Sequence, residues 1–215
     1  MIYKNSILEK TIDLNEVGVI NIVIENDTLL QKVISSFVNE DTDEFNELFI
    51  NNDEVLFSKF SEVMFYPLSL DMSGKVLINK FYDSLIKIDK FQKDVDDINV
   101  KIAELLKKIN INSDIKVDFD IDYSLKDYFG FGKLHYKYDG DYLQYFVDSL
   151  KVYSTILGKK VFVFFNLYFY FNSEQISFIN KEVSLVNASL INICKVSHSN
   201  KNIEEIIIDK DLCEI

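Results

Sequence analysis

Asp118, Asp120 and Asp122 alternate with Phe119 and Ile121 near the middle of the chain, and clustered carboxylates of this kind are the first place to look for chemistry. The stretch Val117-Asp118-Phe119-Asp120-Ile121-Asp122-Tyr123 has period two. As a strand it turns Val117, Phe119 and Ile121 to one face and all three aspartates to the other. Three like charges on one face repel, and a hard cation with oxygen ligands relieves that repulsion; Ca2+ accepts such clusters in flexible geometry. The same pattern also fits a solvated strand edge kept from pairing by its acids. The triplet begins like an EF-hand loop, but Tyr123 and Phe129 stand where that loop needs Gly and Glu. Clustered aspartates also hold metal pairs for phosphodiester cleavage, so a metal-dependent nuclease using these acids is an alternative reading.

A second pattern concerns nucleic acid. Lys80, Lys87, Asp94, Lys101 and Lys108 repeat every seven residues, which places four lysines along one side of a helix if its phase is unbroken. The stripe reads either as a solvated face or as a track for phosphates. His135 and His198 stand alone and read as surface or packing residues. Cys194 and Cys213, a lone pair, lie too far apart for a metal or redox motif and read as packing residues of a reduced compartment. Gly158-Lys159-Lys160 follows a helical pattern and precedes a strand, the reverse of a loop that cradles phosphate, so no nucleotide cofactor is expected.

The residues that must position these groups come from a chain of 215 residues, 48% hydrophobic, enough for one domain or one domain with an insertion. Every basic residue is lysine, which excludes bidentate guanidinium clamps on phosphate or carboxylate. The net charge is −12, but its distribution is uneven: residues 1–57 hold twelve acids against three lysines, and residues 73–111 six acids against eight. The acidic start admits a further alternative, a protein-binding scaffold whose surface mimics DNA. Lys4, Glu9 and Lys10 interrupt the opening before any long apolar run, so no leader or membrane segment is expected there and the location reads as cytoplasmic.

Periodicity places the elements. Ile7–Asp13 and Val19–Ile24 read as strands, and Asp27 or Thr28 caps a helix to about Val38. Glu62–Asp71, with Pro67, reads as an edge strand or bulged connection. From Ser73 to Ile111 the apolar positions follow helical spacing, with a slip at Phe91 that implies a bent long helix or two packed ones. Ser124–Tyr128 reads as a short helix; a longer one, capped by Asp139 or Asp141, ends at Gly158. The run Val161–Phe171 reads as one central strand buried on both faces, followed by a helix from Ser173 and a strand over Leu190–Val196. This order predicts an α/β fold: a mostly parallel sheet forming a head from residues 1–72 and 140–215, and an inserted α-helical leg with the acidic segment over 73–139.

Three stretches carry a resemblance to a known family. Ile22-Val23-Ile24-Glu25-Asn26-Asp27 opens a helix; Val117–Asp122 is followed by Leu125 and Gly132; and Tyr142–Asn166 runs from a helix through a lysine pair into a hydrophobic strand, continued by Ile176, Val183 and Asn187. In this order they resemble the DNA-end-binding adaptation proteins of type II-A CRISPR systems. The resemblance implies a head like a degenerate nucleotide-hydrolase sheet, homotetrameric rings that encircle double-stranded DNA and load at its ends, and dependence on Ca2+. It also implies action with the CRISPR integrase complex and the RNA-guided nuclease during spacer acquisition, with no catalysis of its own. Asp118 and Asp120 match the family's acidic ligands, Asp122 joins them by strand alternation, and Ile121 stands where members often place another acid.

Overall fold

A computed structural model describes residues 1–8, 10–14, 18–38, 41–72, 75–86, 91–111, 121–125, 127–128, 140–198 and 203–213. The backbone divides into two compact units, Met1–Asp71 with Tyr138–Ile215, and Met72–Lys137.

The first unit is α/β and is built around a five-stranded, all-parallel sheet. Its strands are β3 (Gly18–Ile24), β6 (Ser61–Met64), β7 (Val161–Phe165), β8 (Ser189–Cys194) and β9 (Glu204–Ile208), in the order β6-β7-β8-β3-β9. β3, β7 and β8 are interior strands buried on both faces, which is why their sequences are nearly continuous Val, Ile, Leu and Phe. A second sheet is antiparallel, in the order β2-β1-β4-β5: β1 (Ile2–Asn5), β2 (Lys10–Asp13), β4 (Asn46–Ile50) and β5 (Asp53–Leu56).

Alternation on the parallel strands divides the core. Ile20, Ile22 and Ile24 of β3, Val161 and Val163 of β7, and Ile191 and Ile193 of β8 face a cluster with Tyr3, Leu48 and Phe57 and with Val33 and Phe37 of α1 (Asp27–Val38). The opposite residues meet the long helices. Phe146 of α6 (Tyr142–Leu157) packs edge-on against Phe164, ring centroids 5.4 Å apart. Asn180 of α7 (Ser173–Leu185) accepts a hydrogen bond from Val19 N at 2.7 Å. A Cβ on Gly18 would sit 2.3 Å from that Asn180 oxygen, so glycine permits the close approach of α7 to β3.

Several sequence expectations change here. Ile7–Asp13 is not one strand: Asn5 Oδ1 accepts from Ile7 N (3.1 Å) and Leu8 N (2.9 Å), folding the chain into a β1–β2 hairpin. The β4–β5 hairpin was not anticipated; its turn, Asn51-Asn52, has φ of 54° and 69°, the left-handed pair that matches strand twist. The cap of α1 is neither Asp27 nor Thr28, because Asn26 Oδ1 accepts from Leu29 N at 3.0 Å. β7 stops at Phe165, not Phe171: Asn166 takes φ 61° and the chain turns into a short 3-10 helix, Leu167–Phe169. Asp141 caps α6 and Gly158 ends it at φ 74°, as the sequence predicts.

The second unit contains α4 (Lys75–Ile86) and α5 (Gln92–Ile111), so the slip at Phe91 separates two helices. Two short helices complete the first unit, α2 (Thr42–Phe45) and α3 (Phe57–Phe60). Among the described residues no helix is long and apolar enough to cross a membrane.

Candidate nucleic-acid interface

In a parallel α/β sheet the connection from the first strand to its helix is where phosphate-binding loops sit, offering backbone amides at a helix N-terminus. Here that connection, β3 to α1, is only Glu25 and Asn26. Asn26 is already committed: its Oδ1 caps α1, and its Nδ2 donates to Lys210 O at 3.1 Å. Glu25 N donates to Ile208 O at 3.0 Å, and Asp27 forms an ion pair with Lys195 at 2.6 Å. The junction's capping group is thus already spent within the chain, and of its two acids Asp27 is paired with Lys195.

The charges separate by unit. The segment Met72–Lys137 carries twelve of the 23 lysines against eleven acids, so the chain's net −12 divides into +1 there and −13 in the remainder. On α5, Lys101 and Lys108 are exposed and two turns apart, about 10.5 Å along the axis. Lys80 is exposed on α4. The seven-residue stripe therefore does not run along a single helix: the break between α4 and α5 leaves only Lys101 and Lys108 in one helical phase. Lys87 lies outside the described residues.

α5 is held in its unit by a polar clamp. Asn99 Nδ2 donates to Tyr123 O at 2.9 Å, and Tyr128 OH donates to Asn99 Oδ1 at 2.5 Å, while Tyr123 and Tyr128 meet edge-on at 5.9 Å. Ser124 begins the helical turn to Tyr128, through Tyr128 N to Ser124 O at 3.2 Å. Asn99 and its neighbour Val95, which is buried, thus mark the inward face of α5.

Of the three aspartates, Asp118 and Asp120 lie outside the described residues, and Asp122 is exposed one residue before the clamp's Tyr123. Among the described residues no three metal-ligating side chains converge, so Asp122 by itself does not make a cation site. His135 also lies outside the described residues. His198 is an exposed ring stacked on Tyr168, centroids 3.8 Å apart, in keeping with a packing role. Cys194 is buried, but Cys213 is exposed and so is not the packing residue expected.

The sequence singles out Lys159 only as part of a loop that does not cradle phosphate, not for the role it takes. Its Nζ donates to Ser61 O at 2.6 Å and Ser58 O at 3.1 Å, and lies 3.4 Å from Glu62, tying α6's exit to edge strand β6. Nothing local distinguishes it from Lys160, because its partners are 97 to 101 residues away in sequence, brought near by the β6–β7 pairing.

The site and fold together define an α/β protein with a five-stranded parallel sheet and a separate, lysine-bearing helical unit. Compared with known proteins, the sequence matches no protein-family model and no curated protein.

Proposed function

We propose that the protein is a calcium-dependent, non-catalytic binder of double-stranded DNA ends, acting as a homotetrameric ring during CRISPR spacer acquisition. The observation that carries this reading is the partition of charge: a chain of net −12 concentrates its lysines in the unit Met72–Lys137. Affinity for DNA follows local phosphate contacts rather than total charge, because each neutralised phosphate releases condensed counterions. Lys101 and Lys108 stand two turns apart on α5, about 10.5 Å along its axis, where both can contact phosphates. Ammonium groups so placed hold the backbone without reading bases, as suits a protein that recognises an end rather than a sequence.

Calcium would enter through Asp118, Asp120 and Asp122, three acids clustered in sequence whose mutual repulsion a hard cation would relieve. The acid-bearing β3–α1 junction favours a holding role for the head over phosphoryl transfer. Partnership with the integrase complex and the RNA-guided nuclease rests on the resemblance alone.

Gel-shift assays with linear and covalently closed duplex test the proposal. Linear duplex is expected to shift, closed circles are not, and chelator is expected to abolish the shift. Equal binding to both forms overturns end loading. Cleavage of labelled linear duplex in Mg2+ or Mn2+ would replace the reading with the nuclease alternative.

A further inference from the structure

In an all-parallel sheet every strand ends at the same rim, and open α/β sheets take their ligands there. Here the rim has two characters. Where β6 and β7 end it is aromatic: Phe65, Tyr66, Phe169 and Tyr170 are 47%, 50%, 77% and 37% exposed. Phe65 stacks on Phe165, centroids 5.0 Å apart, and Phe169 meets Tyr170 edge-on at 5.2 Å. Tyr170 OH donates to Phe65 O at 3.4 Å, which joins the two strand exits into one patch. The patch is pre-organised, because Leu167 N donates to Asn192 Oδ1 and so fixes the turn that carries Phe169. Neither residues 63–70 nor residues 161–173 include a charged side chain. Exposed apolar rings gathered in this way mark a surface that a partner covers.

Where β8, β3 and β9 end, the rim is acidic. Glu25, Asp27, Asp209 and Asp211 stand there against Lys195 and Lys210, four acids to two lysines. Lys195 is committed to Asp27, whereas Asp211 is exposed and bonds Asp209 through its backbone N, not its carboxylate. From β6 to β9 is four strand steps of about 4.8 Å, so the two ends of the rim are about 19 Å apart, the reach of about six extended residues.

We propose that this rim docks a basic, apolar segment of another protein. Its apolar side chains lie on the aromatic patch, its cationic groups stack on the open ring faces, and the remaining cations meet the acids towards β9. Charge complementarity selects this occupant. Nucleic acid brings the ring-stacking bases but also phosphates, which the excess of acids opposes. A second copy brings a like unit of net −13, and no arginine to stack on the rings. The inference rests on neither DNA nor calcium.

The test is fluorescence anisotropy on the full chain in calcium-free buffer without DNA. The probe is a fluorescein-labelled peptide of alternating arginine and leucine, about eight residues long. The same peptide with glutamate for arginine, labelled oligothymidylate and labelled phosphatidylcholine vesicles are the comparisons. Only the arginine peptide is expected to bind. Phe169→Ser and Tyr66→Ser, at exposed positions, are each expected to weaken it about tenfold. Asp211→Asn is expected to weaken it about threefold and to flatten its salt dependence. Leu185→Ser on α7 and Glu54→Gln on β5 remove an exposed apolar residue and an exposed acid elsewhere, and are expected to leave binding unchanged. Circular dichroism checks that each variant keeps its secondary structure. No binding of the arginine peptide, equal binding of the glutamate peptide, or equal losses in the Leu185 and Glu54 variants overturns the proposal. Oligothymidylate or vesicle binding that Phe169→Ser abolishes would assign the patch to bases or lipid and overturn it too, as would wild-type self-association that Phe169→Ser disrupts.

Discussion

Asn192 donates through Nδ2 to Asn21 Oδ1 at 2.9 Å, joining β8 to β3 by a side-chain bond in the buried interior of the parallel sheet. The two residues are direct partners in the strand register. Asn192 Oδ1 also accepts from Leu167 N at 2.8 Å, and Asn21 Nδ2 donates to Tyr168 OH at 3.1 Å. A buried amide pair thus fixes the turn that ends β7. Where the backbone leaves the sheet at Asn166, the 3-10 turn finds side-chain partners in β8, the strand beside β7, and in β3, one strand further.

Asn192→Leu is therefore expected to be strongly destabilising. It leaves Leu167 N and Asn21 Oδ1 without partners in a dry interior, at a cost of about 1–3 kcal/mol each. Urea unfolding of the single variants and of N21V/N192L measures the coupling. The double variant is expected to cost less than the sum of the singles by about 1 kcal/mol or more, because the second substitution removes a group the first had orphaned. Strict additivity would mean the amides act independently.

Stability is expected to fall on the alkaline side. Burial, with a smaller contribution from Glu205, pushes the Cys194 thiol from 9.0 up to about 11. Above pH 9 the unfolded chain releases this proton while the folded chain retains it, so the unfolded state is favoured. The contribution is whole below about pH 9 and is lost as pH rises towards 11. Burial raises the Tyr3 hydroxyl too, extending the loss above pH 10. Urea midpoints from pH 7 to 11 should decline for the wild type and more shallowly for Cys194→Ala. Parallel declines would remove Cys194 from the account.

The parallel sheet was legible because its interior strands are written as apolar runs between helical patterns, and Asp141 and Gly158 bracket α6 as their chemistry demands. The end of β7 was hidden. Phe162 to Phe171 keeps one composition through the turn, and the only sign of the left-handed residue is Asn166, a type that tolerates that conformation without requiring it. The β4–β5 hairpin had a readable signal in Asn51-Asn52, masked by the shortness of its strands. For the candidate site, spacing found Lys101 and Lys108 but carried the stripe back to Lys80 across a helix break. Periodicity holds phase only within one helix.

Lys159→Met, which keeps the stem and removes the ammonium, is expected to cost about 1–2 kcal/mol. Its losses are local: the carbonyls of Ser58 and Ser61 lose a charged donor, and β6 is an edge strand with one neighbour. Hydrogen exchange should therefore quicken at residues 61–64 more than in β8. Uniform acceleration across the sheet would show that Lys159 supports the whole unit rather than its edge.

Lysine substitutions on α5 test the DNA reading by salt dependence rather than affinity at one condition. Each lost phosphate contact lowers the slope of log affinity against log salt by about 0.9. Lys101→Ala is expected to do so, while Lys151→Ala, whose ammonium is paired with Glu182 on the head, is expected to leave the slope unchanged. Lys108→Ala, two turns further along the same helix, is expected to lower the slope as well. An unchanged slope for both would move DNA off this helix altogether.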